Sequence, residues 1–132
     1  MKQFKQKRFL QAGFSKDGYY IPTSELEKAV EKFSTPVPIK KGYLHDTPPV
    51  GTINKAEFNP ETQSIEVSGE VAYDVSEPFS VAAGYKTELI QEGYTENETS
   101  YIAHTEIEIV MGGLFFDTQD GYPDFAQVID SD

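Results

Sequence analysis

Four side chains suited to proton transfer or nucleophilic attack lie in three separate segments of this sequence: His45, Ser80, and the pair His104 and Glu106. Histidine has the unperturbed pKa nearest neutrality, so His45 is the natural candidate for a general base. It lies in Leu44–Gly51, a loop that leads into a strand, where two prolines restrict the backbone. The alternative interpretation is a solvent-exposed loop histidine beside an aspartate.

Ser80 lies in a small-residue strand segment, Phe79–Tyr85. Alternation along a strand places Ser80, Ala82 and Gly84 on one face, so we expect a hydroxyl that a substrate backbone can approach. A serine nucleophile requires that access. The alternative is an ordinary strand serine in crowded packing.

A third segment, Tyr101–Val110, alternates polar and apolar residues and places His104, Glu106 and Glu108 on one face. Either His104 or Glu106 could orient the base, which is the third role in a nucleophile–base–orienter triad. The alternative is the polar outer face of an antiparallel strand. No cofactor or metal is expected, because the chain has no cysteine, no phosphate-binding glycine loop and no metal-type histidine spacing.

The charge of the chain is strongly acidic and unevenly distributed. The net charge is −11, which argues against nucleic acid as a partner. Residues 1–41 nevertheless hold nine of the eleven Lys and Arg. This asymmetry predicts self-association of a basic end with an acidic body, or docking of one end on a charged partner. The alternative is a merely solubilising surface. No membrane partner is expected, since no apolar stretch approaches the roughly 18 residues of a spanning helix. We also expect the protein to be intracellular where it is made, because no secretory apolar segment follows the basic N-terminus.

Hydrophobic periodicity predicts one domain, 1–132, of the β-rich α+β class: a small antiparallel β-barrel or curled sheet with one main helix at about 23–33. Ser24 and Glu27 fit a capping box for that helix. Strands are predicted before and after it, including a hairpin from Val50 to Tyr73 that turns at Asn59. We divide the chain into an N-terminal basic strand and turn, 1–18, a core, 19–112, and an acidic C-terminal tail, 113–132.

The order of these segments resembles that of tailed-phage prohead (capsid maturation) serine proteases. The resemblance is carried by short motifs across roughly residues 19–112: Ile21–Leu26, Pro36–Ile39, His45–Asp46, Pro49–Ile53, Ile65–Val71, Phe79–Tyr85 and Thr105–Val110. It implies an assemblin-like fold in which Ser80 is the nucleophile and His45 the general base. Glu106 by register, or His104 by chain order as in herpesvirus assemblins, would orient the base.

The resemblance also implies a function. An active member would cleave scaffold and major capsid protein during head maturation, in the host cytoplasm, inside or on the prohead. The alternative is a catalytically inactive protein of the same fold that serves as an auxiliary or decoration protein of the phage head.

Overall fold

The structure, a computed structural model, describes residues 1–14, 19–41, 48–76, 78–90, 95–96, 99–100, 102–116 and 127–128. These residues form one α-helix and eleven β-strands, several of them only two residues long. In chain order they are β1 Lys2–Gln11, β2 Gly13–Phe14, β3 Tyr19–Ile21, α1 Thr23–Lys32, β4 Val37–Lys41, β5 Gly51–Asn59, β6 Ser64–Val71, β7 Ser80–Ile90, β8 Thr95–Glu96, β9 Thr99–Ser100, β10 Ile102–Phe115 and β11 Gln127–Val128.

Nine of these strands form one curled, half-barrel sheet, which confirms the β-rich α+β fold with a single main helix. Its order is β1-β6-β5-β4-β10-β3-β2, with β7 pairing the opposite edge of β10 and β11 pairing β7. The sheet is not wholly antiparallel, because β3 and β4 run parallel to β10, and β11 runs parallel to β7. Among the residues that the structure describes, β8 and β9 pair only with each other.

Strand β6 shows how sequence alternation builds the core. Ile65, Val67 and Val71 have no exposed surface, whereas Glu66 between them is half-buried, as period-two alternation predicts. Tyr73, which the same alternation assigns to the buried face, lies beyond the strand end and is 77% exposed. The β5–β6 turn is the predicted one, since Asn59 Oδ1 accepts the backbone N–H of Glu61 at 2.9 Å.

The helix begins and ends close to the predicted bounds, but its first turn differs from the prediction. The capping box at Ser24 is wrong, because Ser24 lies inside the helix and Pro22 occupies the N-cap without any side-chain cap. The carbonyl of Pro22 accepts the Glu25 N–H at 3.1 Å instead. Leu26 and Ala29 are buried against the sheet, as the apolar stripe predicts. Within the described parts of the chain, no helix has the length and apolar character that crossing a membrane requires.

Both ends of the predicted core continue into the same sheet. β1 pairs with β6 along its length, from Lys2 opposite Val71 to Gln11 opposite Ser64. β10 runs on to Phe115, so the predicted boundary at 113 falls within a strand.

Two glycines fix how closely β5 and β6 approach. A Cβ at Gly51 would lie 2.2 Å from the carbonyl oxygen of Glu70, and one at Gly69 would lie 2.0 Å from that of Thr52. Real Cβ atoms do not approach backbone oxygens so closely, and neither strand can yield without moving its partner. These are the glycines of the two motifs, Pro49–Ile53 and Ile65–Val71, so close strand packing is sufficient to explain them.

We therefore expect Gly69→Ala to lower the free energy of unfolding by about 1–3 kcal/mol, the usual cost of overpacking. Urea unfolding followed by circular dichroism measures this. The control is Glu70→Ala, whose side chain is only half-buried. Equal urea midpoints for the two variants would contradict the close approach of β5 and β6.

Candidate functional site

Ser80 is the first residue of β7 and lies in the pairing register opposite Phe115 of β10. Its residue surface is only 7% exposed, and every residue from Ser80 to Tyr85 is buried. The prediction of an accessible hydroxyl is therefore wrong. The reason is that both faces of this half of β7 are covered, so the small residues at 82 and 84 provide tight packing and no open approach.

His104 and Glu106 lie toward the opposite end of the same strand pair. His104 is opposite Leu89, nine residues along β7 from Ser80, a separation of roughly 30 Å at the usual strand rise. Glu106 lies opposite the segment between Lys86 and Glu88, roughly 20 Å from Ser80 along the strand. One imidazole with two hydrogen bonds of about 3 Å spans much less than either separation.

The described residues thus do not bring Ser80 together with either candidate for the orienting role. His45 lies in 42–47, outside the described residues, and its role as the general base stays a prediction. Within one chain, a single His45 side chain cannot contact both Ser80 and His104 across the length of this strand pair.

The side chain of His104 is packed into a small cluster with two tyrosines. Its Nδ1 lies 2.7 Å from the Tyr85 hydroxyl, and its ring stacks on Tyr19, with centroids 4.2 Å apart and an interplanar angle of 11°. His104 is 5% exposed and Tyr85 is fully buried. Burial lowers the pKa of His104 from 6.5 to about 4, because the charged imidazolium loses its hydration. His104 is therefore neutral near pH 7, and its cluster ties β3, β7 and β10 together.

This burial departs from the predicted polar face of β10, and a β-bulge is the cause. The pairing of β10 with β7 shifts between Thr105 and Glu108, where Glu106 adopts a left-handed backbone with φ of 52°. An extra residue in a strand alters which side chains share a face. His104 is consequently buried whereas Glu106 and Glu108 are exposed.

Helix α1 holds the bulge at Glu106 through polar contacts of Glu25 and Lys32, which lie near its two ends. The buried carboxylate of Glu25 accepts the Glu106 backbone N–H at 2.9 Å and pairs with Lys28 at 3.4 Å. Lys32 Nζ lies 3.3 Å from the Glu106 carboxylate. This arrangement satisfies a backbone donor that the bulge removes from the strand ladder. It also engages the carboxylate that the triad would have used.

Two lysines of β1 bind the segment that leads into Ser80. Lys7 Nζ donates to the carbonyl of Phe79 at 2.9 Å and lies 4.2 Å from the centre of the Phe79 ring. Lys2 Nζ donates to the carbonyl of Val75. Part of the basic N-terminus is therefore used inside the fold, closing the gap between β1 and β7 with side chains instead of a backbone ladder.

Sequence reasoning missed Tyr19, Tyr85, Glu25 and Lys32, the four partners that explain His104 and Glu106. Only Glu25 carried a usable signal, because it lies four residues before Ala29 on the buried stripe of the helix. Among the described residues, no group of three or more His, Asp or Glu is arranged to hold a metal ion.

Comparisons with known proteins add no relative. No protein-family model, no curated protein and no solved structure matches this chain at a significant level.

The low pKa of His104 predicts a specific dependence of stability on pH. Between pH 6.5 and about 4 the unfolded chain takes up a proton on His104 that the folded chain does not, so the free energy of unfolding falls as pH falls. The full effect is about 3 kcal/mol. We expect the stability difference between wild type and His104→Gln to shrink from pH 7 to pH 4.5 in urea unfolding. A difference that does not change with pH would contradict a buried neutral histidine.

The contact between Glu25 and the bulge predicts a second effect. Glu25→Ala leaves the Glu106 N–H without its acceptor and should cost about 1–3 kcal/mol of unfolding free energy, with faster hydrogen exchange at the Glu106 amide. Glu25→Gln retains an acceptor oxygen and should cost less. Glu27→Ala, on the exposed side of the same helix, is the control. Unchanged exchange at Glu106 in Glu25→Ala would refute the contact.

Proposed function

We propose that this chain is a non-catalytic structural protein of a tailed-phage head, an auxiliary or decoration protein with the strand order of the prohead proteases. The head assignment is supported by the order of the motifs from Ile21 to Val110, of which those outside residues 42–47 lie on or next to the strands of one curled sheet and its helix. Its expected partners are the major capsid protein and further copies of itself, on a prohead assembled in the host cytoplasm.

The single observation that carries the non-catalytic role is the register of β7 with β10. It places His104 opposite Leu89, nine residues along β7 from Ser80, whereas a triad requires one imidazole within hydrogen-bond reach of both the nucleophile and the orienting residue. The burial of Ser80 adds to this, because the scissile carbonyl of a substrate must come within bonding distance of the hydroxyl.

The contacts of His104 and Glu106 also support a non-catalytic role. A base-orienting residue must accept a hydrogen bond from the base, yet His104 Nδ1 is occupied by Tyr85. The carboxylate of Glu106 is paired with Lys32. Both side chains therefore make contacts between secondary-structure elements, of which the His104 contact is buried and the Lys32–Glu106 contact is a surface pair of little strength.

The active protease is the competing hypothesis, with Ser80 as nucleophile, His45 as base, and scaffold and major capsid protein as substrates. It requires β7 to uncover Ser80 and a third residue other than His104 or Glu106 to orient His45. Only the order of the motifs favours it, and that order is equally expected of an inactive relative.

A fluorophosphonate probe, which reacts covalently with activated serine hydroxyls, separates the two functions. We expect no labelling of the wild-type protein above that of Ser80→Ala, under conditions that label a known serine protease fully. Ser76→Ala, which changes an exposed serine, controls for surface reactivity. Labelling that is lost only in Ser80→Ala would overturn the proposal.

A second measurement tests the structural role itself. Mass spectrometry of purified mature virions should detect the chain in stoichiometric amounts, and co-expression with the capsid protein of the same phage should leave the length of that protein unchanged. Absence from mature heads, together with a shortened capsid protein, would favour the protease instead.

A further inference from the structure

The two strands that flank β6, which are β1 and β5, both carry a β-bulge opposite Ser68 and Gly69 of β6. In β1 the register shifts between Phe4 and Lys7, and in β5 it shifts between Ile53 and Lys55. Two neighbouring bulges bend their strands away from a common point. The residues of β6 at that point are Ser68 and Gly69, which are too small to fill the space.

The result is a shallow depression of about 160 Å³ that we term the double-bulge depression. Phe4 and Gly69 contribute to its lining, and Lys5 and Lys55 flank it on the two outer strands. The hydroxyl of Ser68, between the two lysines, already accepts the backbone N–H of Gln6 at 3.0 Å. The depression therefore combines apolar surface with two cationic side chains.

The charge at this place is opposite to that of the whole molecule, which is −11. Lys5 is exposed, and no ion pair of its ammonium group is found within the described part of the chain. The Lys55 side chain is 65% exposed, and its pair with Glu57 at 3.5 Å is a surface pair of little strength. Glu70 is the one carboxylate among the described residues that line the depression.

Size and composition restrict what can bind there. A volume of 160 Å³ is below the roughly 300–1,000 Å³ of small-molecule sites, so the depression suits single side chains of a larger partner. Phe4 is only 6% exposed, so no aromatic face is available for the base stacking that single-stranded nucleic acids use. Duplex phosphates need many clustered cations. A protein segment with carboxylate side chains next to an apolar one matches both the two lysines and the apolar surface of the depression.

We propose that the double-bulge depression binds an acidic peptide segment of a partner protein. Carboxylates of the segment pair with the ammonium groups of Lys5 and Lys55, and an apolar side chain lies in the depression between them. Because the net charge of the protein is −11, repulsion by the acidic parts of its surface adds to the preference of the segment for this depression.

The test uses the whole protein and a fluorescein-labelled poly-L-glutamate of about 20 residues as the probe. Fluorescence anisotropy at low salt should show saturable binding by the wild type, weakened by added salt. Lys5→Gln/Lys55→Gln should bind roughly tenfold more weakly, the loss expected for two exposed ion pairs. Lys41→Gln/Lys86→Gln changes the net charge equally and should bind like the wild type. Circular dichroism and urea unfolding confirm that both variants fold.

Three results would overturn the proposal. The first is an absence of poly-L-glutamate binding by the wild type. The second is an equal loss in both double variants, which would reduce the effect to net charge. The third is tighter binding of an oligothymidylate of equal charge that is lost in Lys5→Gln/Lys55→Gln, because the depression would then recognise phosphate and not an acidic protein. None of these results depends on whether Ser80 is catalytic.

Discussion

Strands β7 and β10 pair from Ala103 opposite Ile90 to Phe115 opposite Ser80, and most of the remaining structure is attached to this ribbon. β10 accepts β3 near its start and β4 near its end along the edge that β7 leaves open. Alternate side chains of β7, those of Val81, Ala83 and Tyr85, belong to the hydrophobic core. A pairing of this length fixes the positions of residues at its two ends relative to each other, and no side-chain rotation can bring them together.

The bulge at Glu106 is the place where the β7–β10 pair contacts helix α1 through polar groups. Its left-handed residue is not glycine, and such a conformation costs on the order of 1 kcal/mol. Glu25 offsets this by accepting the N–H that the bulge exposes. Backbone strain is frequently a sign of a catalytic site, but at Glu106 it accompanies the docking of α1 on the sheet. The carboxylate pair with Lys32 then adds a second attachment at the end of the helix.

Local patterns predicted the elements well. The bounds of α1, the turn at Asn59 and the buried face of β6 all follow from periodicity and turn chemistry that neighbouring residues determine. The arrangement around His104 could not be predicted in the same way, because its partners Tyr19 and Tyr85 belong to strands distant in the sequence. The bulge at Glu106 was equally hidden, since nothing in a run of alternating polar and apolar residues marks the extra one. Predicting a triad from chain order alone assumes a register, and register is the property that single-sequence patterns determine least.

The partners of the β1 lysines are synthesised much later than β1 itself. Lys2 and Lys7 find their carbonyl partners 73 and 72 residues further along the chain, and β6 is almost as distant. At translation rates of about 5–20 residues per second, β1 is synthesised roughly 4–15 s before the segment that carries these two carbonyls. An unpaired strand with an open edge is prone to join other chains, and positive charges along it counteract this. The basic residues of β1 thus protect the nascent chain before they hold the finished sheet together.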